Sequence, residues 1–197
     1  MNYLAHAYLS FQHPEVLAGN MISDHVKGKQ KEKFSPGIQK GIHLHRVIDA
    51  YTDEHPASKE AKIFFKPYYR LYSGAIVDII YDHFLATDEA EFPDNFLYEF
   101  SIDTYETLDP YTEIFPERFG KMFPWMKKQN WLYNYQHKEG IQKSLNGLMH
   151  RAAYLEEMDT AFSLFDEYYE RLKDCYTNFW ADAKPHFRKR FEELITD

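Results

Sequence analysis

Apolar residues recur every three or four positions along almost the whole chain, which is the spacing of amphipathic α-helices. Near the start the pattern runs through Leu4, Tyr8 and Phe11. Near the end it runs through Phe162, Phe165, Tyr169, Leu172 and Tyr176. Alternating apolar and polar runs of strand length are absent from the sequence, and its Asn-Gly pair at 146–147 lies inside a helical pattern. The sequence therefore predicts an all-α fold.

Proline and glycine positions divide this pattern into helices. We expect a loop over 27–37, one helix that stops before Pro56, and a short helix over 57–66 closed by Pro67. A long helix is predicted over 68–87, and a last helix is predicted to start near Pro185. With 197 residues and no internal repeat, the chain is expected to form a single compact helical bundle over 1–197.

Composition narrows the class of protein. Hydrophobic residues make up 44% of the chain and aromatic residues 18%, which argues against disorder. The start of the chain lacks the basic region of a signal peptide, and no apolar stretch approaches the length of a membrane span. The single cysteine, Cys175, excludes an intramolecular disulfide framework. We therefore expect a cytoplasmic protein, and the Tyr- and Phe-rich faces would allow a homodimer.

Charge is distributed unevenly along the chain. The net charge is −8, which disfavours nucleic acid or an anionic membrane as a partner. The segment from Lys27 to Arg70, however, contains ten Lys and Arg residues and five Asp and Glu residues, a local net charge of +5. This basic segment indicates either a surface for an anionic partner or a solvated loop with ordinary lysines.

Two helical segments carry acidic and histidine side chains four residues apart. His45 and Asp49 share one helix face, and so do Asp78 and Asp82. Two carboxylates stacked in a mostly apolar helix repel each other, so a cation between them is the economical explanation. His43 lies two residues from His45 and points elsewhere.

His6 and Asp24 add two polar residues to apolar helical turns. Each feature alone is typical of a structural role: a satisfied core histidine, a salt-bridged pair, or two surface carboxylates. Together the four segments predict a metal site, and their oxygen and imidazole ligands suit Mn²⁺, Fe²⁺, Mg²⁺ or Zn²⁺. Phosphate-binding loops, HExxH and GxSxG motifs are absent from the sequence.

Several segments, in the same order over nearly the whole chain, resemble the acyl carrier protein phosphodiesterases. They are MNYLAHAYLS, LAGNMISDHVKG, GIHLHRVIDAYTD, VDIIYDHFLA and the later NWL, IQKSLNGL and FW. That family is a divergent, all-helical relative of the HD-type metal-dependent phosphohydrolases. The resemblance implies removal of the 4′-phosphopantetheine arm from the serine of holo-acyl carrier protein, with a divalent metal that is usually Mn²⁺.

The resemblance also assigns residues. The family's His/Asp pattern falls on His6, Asp24, His45, Asp49, Asp78, Asp82 and His83, and Arg46 and Asn146-Gly147 match its arginine and late Asn-Gly. Val47 stands where a second arginine is expected, and His25 stands where an aromatic residue is usual.

These matches lead to a mechanistic expectation. Asp24, His45, Asp49, Asp78 and His6 are the expected metal ligands, Asp82 or His83 orients water or protonates the leaving oxygen, and Arg46 holds phosphoryl oxygens. Acyl carrier proteins are acidic, so Lys27, Lys29, Lys31 and Lys33 are the expected docking residues. Two alternatives remain open: hydrolysis of a nucleotide or other small phosphodiester, and a non-catalytic module that binds an acidic partner.

Overall fold

The computed structural model describes residues 1–149 and 157–196, and these residues form helices and no β-strand. The described α-helices, α1 to α11, span Tyr3–Tyr8, Pro14–Ile22, Pro36–Glu54, Pro56–Tyr69, Ser73–Ala86, Phe96–Leu108, Glu117–Lys128, Trp131–Asn134, Lys138–Met149, Asp159–Glu167 and Tyr169–Thr196. Short 3₁₀ helices span Ser23–His25, Gly28–Lys33, Arg70–Tyr72 and Asp109–Ile114. The predicted all-α fold is confirmed.

Several predicted boundaries were wrong. Pro67 lies inside α4, and Pro185 lies inside α11 and does not start a new helix. In α11 the buried stripe of Phe179, Ala183 and Phe187 continues across the proline, so packing outweighs the one backbone hydrogen bond that proline removes. The helix expected over 68–87 begins only at Ser73, because the chain turns sharply at Arg70, where φ is 47°.

The segment predicted as a loop over 27–37 contains the 3₁₀ helix Gly28–Lys33, none of whose residues is buried. Helix α3 starts directly after it, at Pro36, a residue suited to a first helical position. The hydroxyl of Ser35 accepts a hydrogen bond from the N–H of Ile38 and so caps this helix. The segment thus leads from the end of α2 into the helix that carries His45 and Asp49.

Helix α5 lies at the centre of the molecule. Eleven of its 14 residues are buried, as expected for a helix that is apolar around most of its circumference. Asp82 and His83 are therefore enclosed, whereas Asp78 keeps partial access to solvent. No helix in the described part of the chain combines the length and apolar character required to cross a membrane.

Helices α2 and α3 pack against each other through glycine. A Cβ atom added at Gly41 would lie 2.2 Å from the carbonyl oxygen of Val16, and one added at Gly19 would lie 2.0 Å from that of Ile38. The two backbones can approach this closely only because neither position has a side chain. This close crossing places the end of α2 beside the middle of α3, where the candidate site lies.

Replacing Gly41 with alanine is expected to lower the free energy of unfolding by about 1–3 kcal/mol, because the new methyl group meets fixed backbone. Gly120→Ala is the matched control: its Cβ would make only an ordinary 3.7 Å contact with Phe115, and alanine favours the helix. Urea denaturation followed by circular dichroism measures both variants. Equal stability of the two variants would contradict the packing argument.

Candidate metal centre

Three side chains from two helices converge on one point. His6 comes from α1, and His45 and Asp49 come from α3. The Nε2 atom of His6 lies 3.2 Å from Oδ1 of Asp49, and Nε2 of His45 lies 3.1 Å from Oδ2 of the same carboxylate. The two imidazole rings stack with centroids 3.9 Å apart. One ligand atom from each residue lies within 4.8 Å of the other two, so the cluster could hold a single ion.

Asp24 lies beside this three-residue cluster, next to His45 and open to solvent. Its Oδ1 atom lies 3.1 Å from Nε2 of His45. The side chains of Asp24 and Asp49 are 66% and 41% exposed, whereas those of His6 and His45 are 3% and 7% exposed. The site therefore has a buried imidazole floor and a carboxylate rim that a substrate can approach.

Asn20 fixes the orientation of both imidazole rings. Its side-chain amide donates to the carbonyl oxygen of His6 (2.9 Å) and to the hydroxyl of Ser10 (3.0 Å), which leaves its Oδ1 to accept from Nδ1 of His6 at 2.7 Å. Its backbone carbonyl accepts from Nδ1 of His45 at 2.8 Å. Because each Nδ1 carries the proton in these bonds, each neutral ring presents the lone pair of Nε2 to the cluster.

The donor set fits a divalent cation. Ligands 2.1 Å from an octahedral ion lie about 3.0 Å from their neighbours, close to the 3.1 and 3.2 Å separations between the histidine nitrogens and Asp49. Nε2 of His6 is buried and makes no well-formed hydrogen bond with the described residues. A buried imidazole lone pair without a donor is costly in a folded protein, and a metal ion would satisfy it.

Charge interactions shift the pKa values within the cluster. Burial opposes a charge on His45, but Asp24 and Asp49 outweigh burial and raise its pKa to about 9. Burial and the neighbouring His45 lower the pKa of His6 to about 4. Burial also opposes the charge on Asp49, yet both histidines hold the pKa of this carboxyl well below its usual range. The carboxylates thus favour a proton on Nε2 of His45, and a metal ion bound at this nitrogen would displace that proton.

Asp78 approaches the cluster from α5. Its Oδ1 atom lies 2.7 Å from the α-amine of Met1, and the same amine lies 3.9 Å from Oδ1 of Asp49. Burial raises the pKa of Asp78, and the amine opposes this shift. Asp78 therefore neighbours the cluster, with the amine between it and Asp49.

Asp82 binds the start of α1 and does not join the cluster of ligand atoms. Its carboxylate accepts hydrogen bonds from the backbone N–H groups of Asn2 (3.2 Å), Leu4 (2.7 Å) and Ala5 (3.2 Å). These are the N–H groups that a helix leaves without an internal partner, so Asp82 caps the helix that carries His6. Burial raises the pKa of Asp82 to about 7, although the Met1 amine and the three N–H groups favour the carboxylate.

His83 points to a different part of the molecule. Its Nδ1 donates to the carbonyl oxygen of Tyr135 at 2.8 Å, and its Nε2 accepts from the hydroxyl of Tyr169 at 2.9 Å. Burial lowers the pKa of this histidine, so the ring is neutral and joins α5 to the end of α8 and to α11. The predicted catalytic roles of Asp82 and His83 stay predictions, and the geometry gives each of them a structural role.

The remaining predicted residues lie on the surface. Arg46 is exposed on α3, next to His45, and Lys27, Lys29, Lys31 and Lys33 are exposed in the segment that follows Asp24. Asn20 was not predicted as a site residue. The feature that could have indicated it is an amide side chain in an otherwise apolar helical turn.

The fold and the site define an all-helical protein with a half-open His/Asp centre. The family model described as acyl carrier protein phosphodiesterase matches residues 1–183. Two curated relatives from Escherichia coli, of strains CFT073 and Crooks, are named acyl carrier protein phosphodiesterase. Each is 33% identical over 181 residues, which cover 91% of this chain and 92% of the relative.

The chain therefore belongs to the acyl carrier protein phosphodiesterase family. No solved structure shows significant similarity to it. The expected relationship to HD-type phosphohydrolases stays a prediction.

Asp82→Asn is expected to lower the free energy of unfolding by roughly 1.5–3 kcal/mol, because an amide cannot accept all three N–H bonds at the start of α1. Asp103→Asn, at an exposed position on α6, should change it by less than about 0.5 kcal/mol. Chemical denaturation at neutral pH measures both variants. If Asp82→Asn is as stable as Asp103→Asn, the capping role is wrong.

Proposed function

We propose that this protein hydrolyses the phosphodiester that joins 4′-phosphopantetheine to the serine of holo-acyl carrier protein, and so releases the apo-protein. The observation that carries the proposal is the convergence of His6, His45 and Asp49 in a chain of this family. Phosphodiester hydrolysis requires stabilisation of negative charge on phosphoryl oxygens, and a divalent ion held by this half-open cluster would supply it.

We propose that His6, His45, Asp49 and Asp24 hold a divalent metal, with Mn²⁺ as the first candidate and Mg²⁺ or Fe²⁺ as the others. When bound, such an ion supplies a water of lowered pKa and polarises phosphoryl oxygens. Asn20 keeps both histidine rings in the tautomer that presents Nε2. We further propose that Asp78, the carboxylate of α5 nearest the cluster, would hold a proton of the attacking water or add a further ligand; its present partner is the Met1 amine, which also lies 3.9 Å from Asp49.

The chain's own residues also recognise the phosphate and its carrier. We propose that Arg46, which follows His45 on α3 and is exposed, swings its long side chain to the phosphate and holds two non-bridging oxygens in a planar fork. Four exposed lysines follow Asp24 in the chain, and we propose that they flank the open side of the centre: Lys27, Lys29, Lys31 and Lys33. An acidic carrier protein that docks there would bring its modified serine to the carboxylate rim. A cytoplasmic location and a homodimer stay predictions.

The proposal is tested by incubating the purified protein and Mn²⁺ with holo-acyl carrier protein and following the loss of the prosthetic arm by mass spectrometry. We expect release by the wild type, and a loss of activity and of Mn²⁺ affinity of more than about 100-fold in His45→Ala. His43→Ala is the matched control, since His43 is exposed on the same helix and lies outside the cluster.

Each other outcome has a definite meaning. Turnover of a small chromogenic phosphodiester without release of the arm would favour the alternative of a small-molecule phosphodiesterase. Absence of any turnover, together with no bound metal by elemental analysis, would favour the non-catalytic binding module. Equal activity in His45→Ala and His43→Ala would remove His45 from the site.

The docking surface generates a separate prediction. Replacing Lys29, Lys31 and Lys33 together with alanine should raise KM for holo-acyl carrier protein and flatten its dependence on salt, because exposed charge pairs are screened. The control removes the same number of exposed positive charges from α11, at Lys173, Lys189 and Arg190. The same salt profile in both triple variants would contradict docking at the lysine segment.

A further inference from the structure

A cavity of about 640 Å³ opens between α1, α7 and the region of α8 and α9. Tyr3, Met122 and Trp131 contribute apolar walls, Tyr135 lies at the end of α8, and Gly147 lies on α9. The volume is within the range of about 300–1,000 Å³ typical of small-molecule sites. None of the residues already assigned to the metal centre lines it.

The cavity begins next to the metal centre. Tyr3 and His6 lie three residues apart on α1, so they occupy neighbouring turns of one helix face. Asn2, which lines the cavity, bonds to residues on both sides of it: its backbone N–H donates to Asp82, which caps the helix that carries His6, and its side-chain amide donates to the hydroxyl of Tyr135 at 2.9 Å. The first turn of α1 therefore lies between the cavity and the helix position that carries His6.

We propose that this cavity binds the pantetheine arm of the carrier protein while its phosphate lies at the metal centre. This inference rests on the proposed function and adds a subsite that determines specificity. The arm leaves the phosphate in one direction and the carrier serine leaves it in the other. A cavity on one side of the centre and a basic docking segment next to Asp24 match this division.

The lining matches the chemistry of the arm. Pantetheine combines a gem-dimethyl carbon and short methylene chains with a hydroxyl, two amides and a thiol. Tyr3, Met122 and Trp131 offer surfaces for its apolar parts. Lys143 and Ser144 project hydrogen-bonding groups from α9 and suit the amide oxygens and the hydroxyl.

Gly147 leaves free volume on the side of the cavity that α9 forms. A Cβ added at Gly147 would meet no atom of residues 1–149 or 157–196 within 4 Å, although the residue lies on a helix and lines the cavity. A larger side chain there would occupy the volume without straining the backbone. The Asn146-Gly147 pair takes no part in the metal centre. Its glycine instead leaves room in the cavity for the pantetheine arm.

The test is a blocking variant, Gly147→Trp, compared with Gln142→Trp, which places the same bulky ring at an exposed position of α9 outside the cavity. Binding of free pantetheine is measured by calorimetry, and kcat and KM are measured with holo-acyl carrier protein and with bis(p-nitrophenyl) phosphate. We expect wild type and Gln142→Trp to bind pantetheine, and Gly147→Trp to bind it at least tenfold more weakly. The loss of kcat/KM in Gly147→Trp should be at least tenfold greater for holo-acyl carrier protein than for the small diester.

Ser144→Phe, a second substitution on the cavity wall, keeps the test informative if Gly147→Trp does not fold. Suppose that the wild type releases the arm and that a folded blocking variant binds pantetheine as tightly as Gln142→Trp does. This result would overturn the cavity assignment and leave the proposed function intact. Failure of the wild type to bind pantetheine would also overturn it. If the wild type binds pantetheine in the cavity and releases no arm, the proposed function fails and the binding site stands.

Discussion

The candidate centre depends on the hydrogen bonds that Asn20 makes to two histidines. Its side-chain oxygen binds Nδ1 of His6, and its backbone oxygen binds Nδ1 of His45. One residue of α2 therefore sets the tautomer of a histidine on α1 and of another on α3. Without these bonds, each neutral ring could carry its proton on Nε2 and would then have no lone pair on the side that faces the cluster.

Backbone packing makes this arrangement possible. Gly19 precedes Asn20, and its contact with α3 at Gly41 brings the two helices closer than side chains would permit. Asp82, on the central helix α5, holds the start of α1 by three N–H groups, which fixes His6 from the other direction. The polar groups of the site are thus bound to a rigid helical frame, while Asp24 and Asp49 remain open to solvent.

Helical periodicity predicted the fold class. The four-residue spacing of His45 and Asp49 correctly predicted that these two side chains share a helix face and meet. Local rules placed helix boundaries at Pro67 and Pro185, but helices α4 and α11 continue through these residues because buried stripes extend across both prolines. The pair Asp78 and Asp82 illustrates the limit for the site. Spacing puts them on one face, but it does not show that one accepts backbone N–H groups while the other pairs with an amine.

Family membership and geometry contribute different parts of the functional account. The family indicates the class of bond that is cleaved, whereas the geometry indicates which nitrogens and oxygens of this chain converge. In the proposed function, the half-open centre would bind the metal, the basic segment the carrier protein and the cavity the arm, so that three separate surfaces would share the recognition. Such a division would let the enzyme recognise both the carrier protein and its prosthetic group.

The central claim is that His6 and His45 bind one divalent ion through Nε2. Pulsed electron paramagnetic resonance of the protein loaded with Mn²⁺ measures it directly, because ligating imidazole nitrogens produce ¹⁴N couplings at the ion. The account predicts two such nitrogens in the wild type and one in His6→Ala. A spectrum without nitrogen coupling in a protein that binds Mn²⁺ and releases the arm would contradict it.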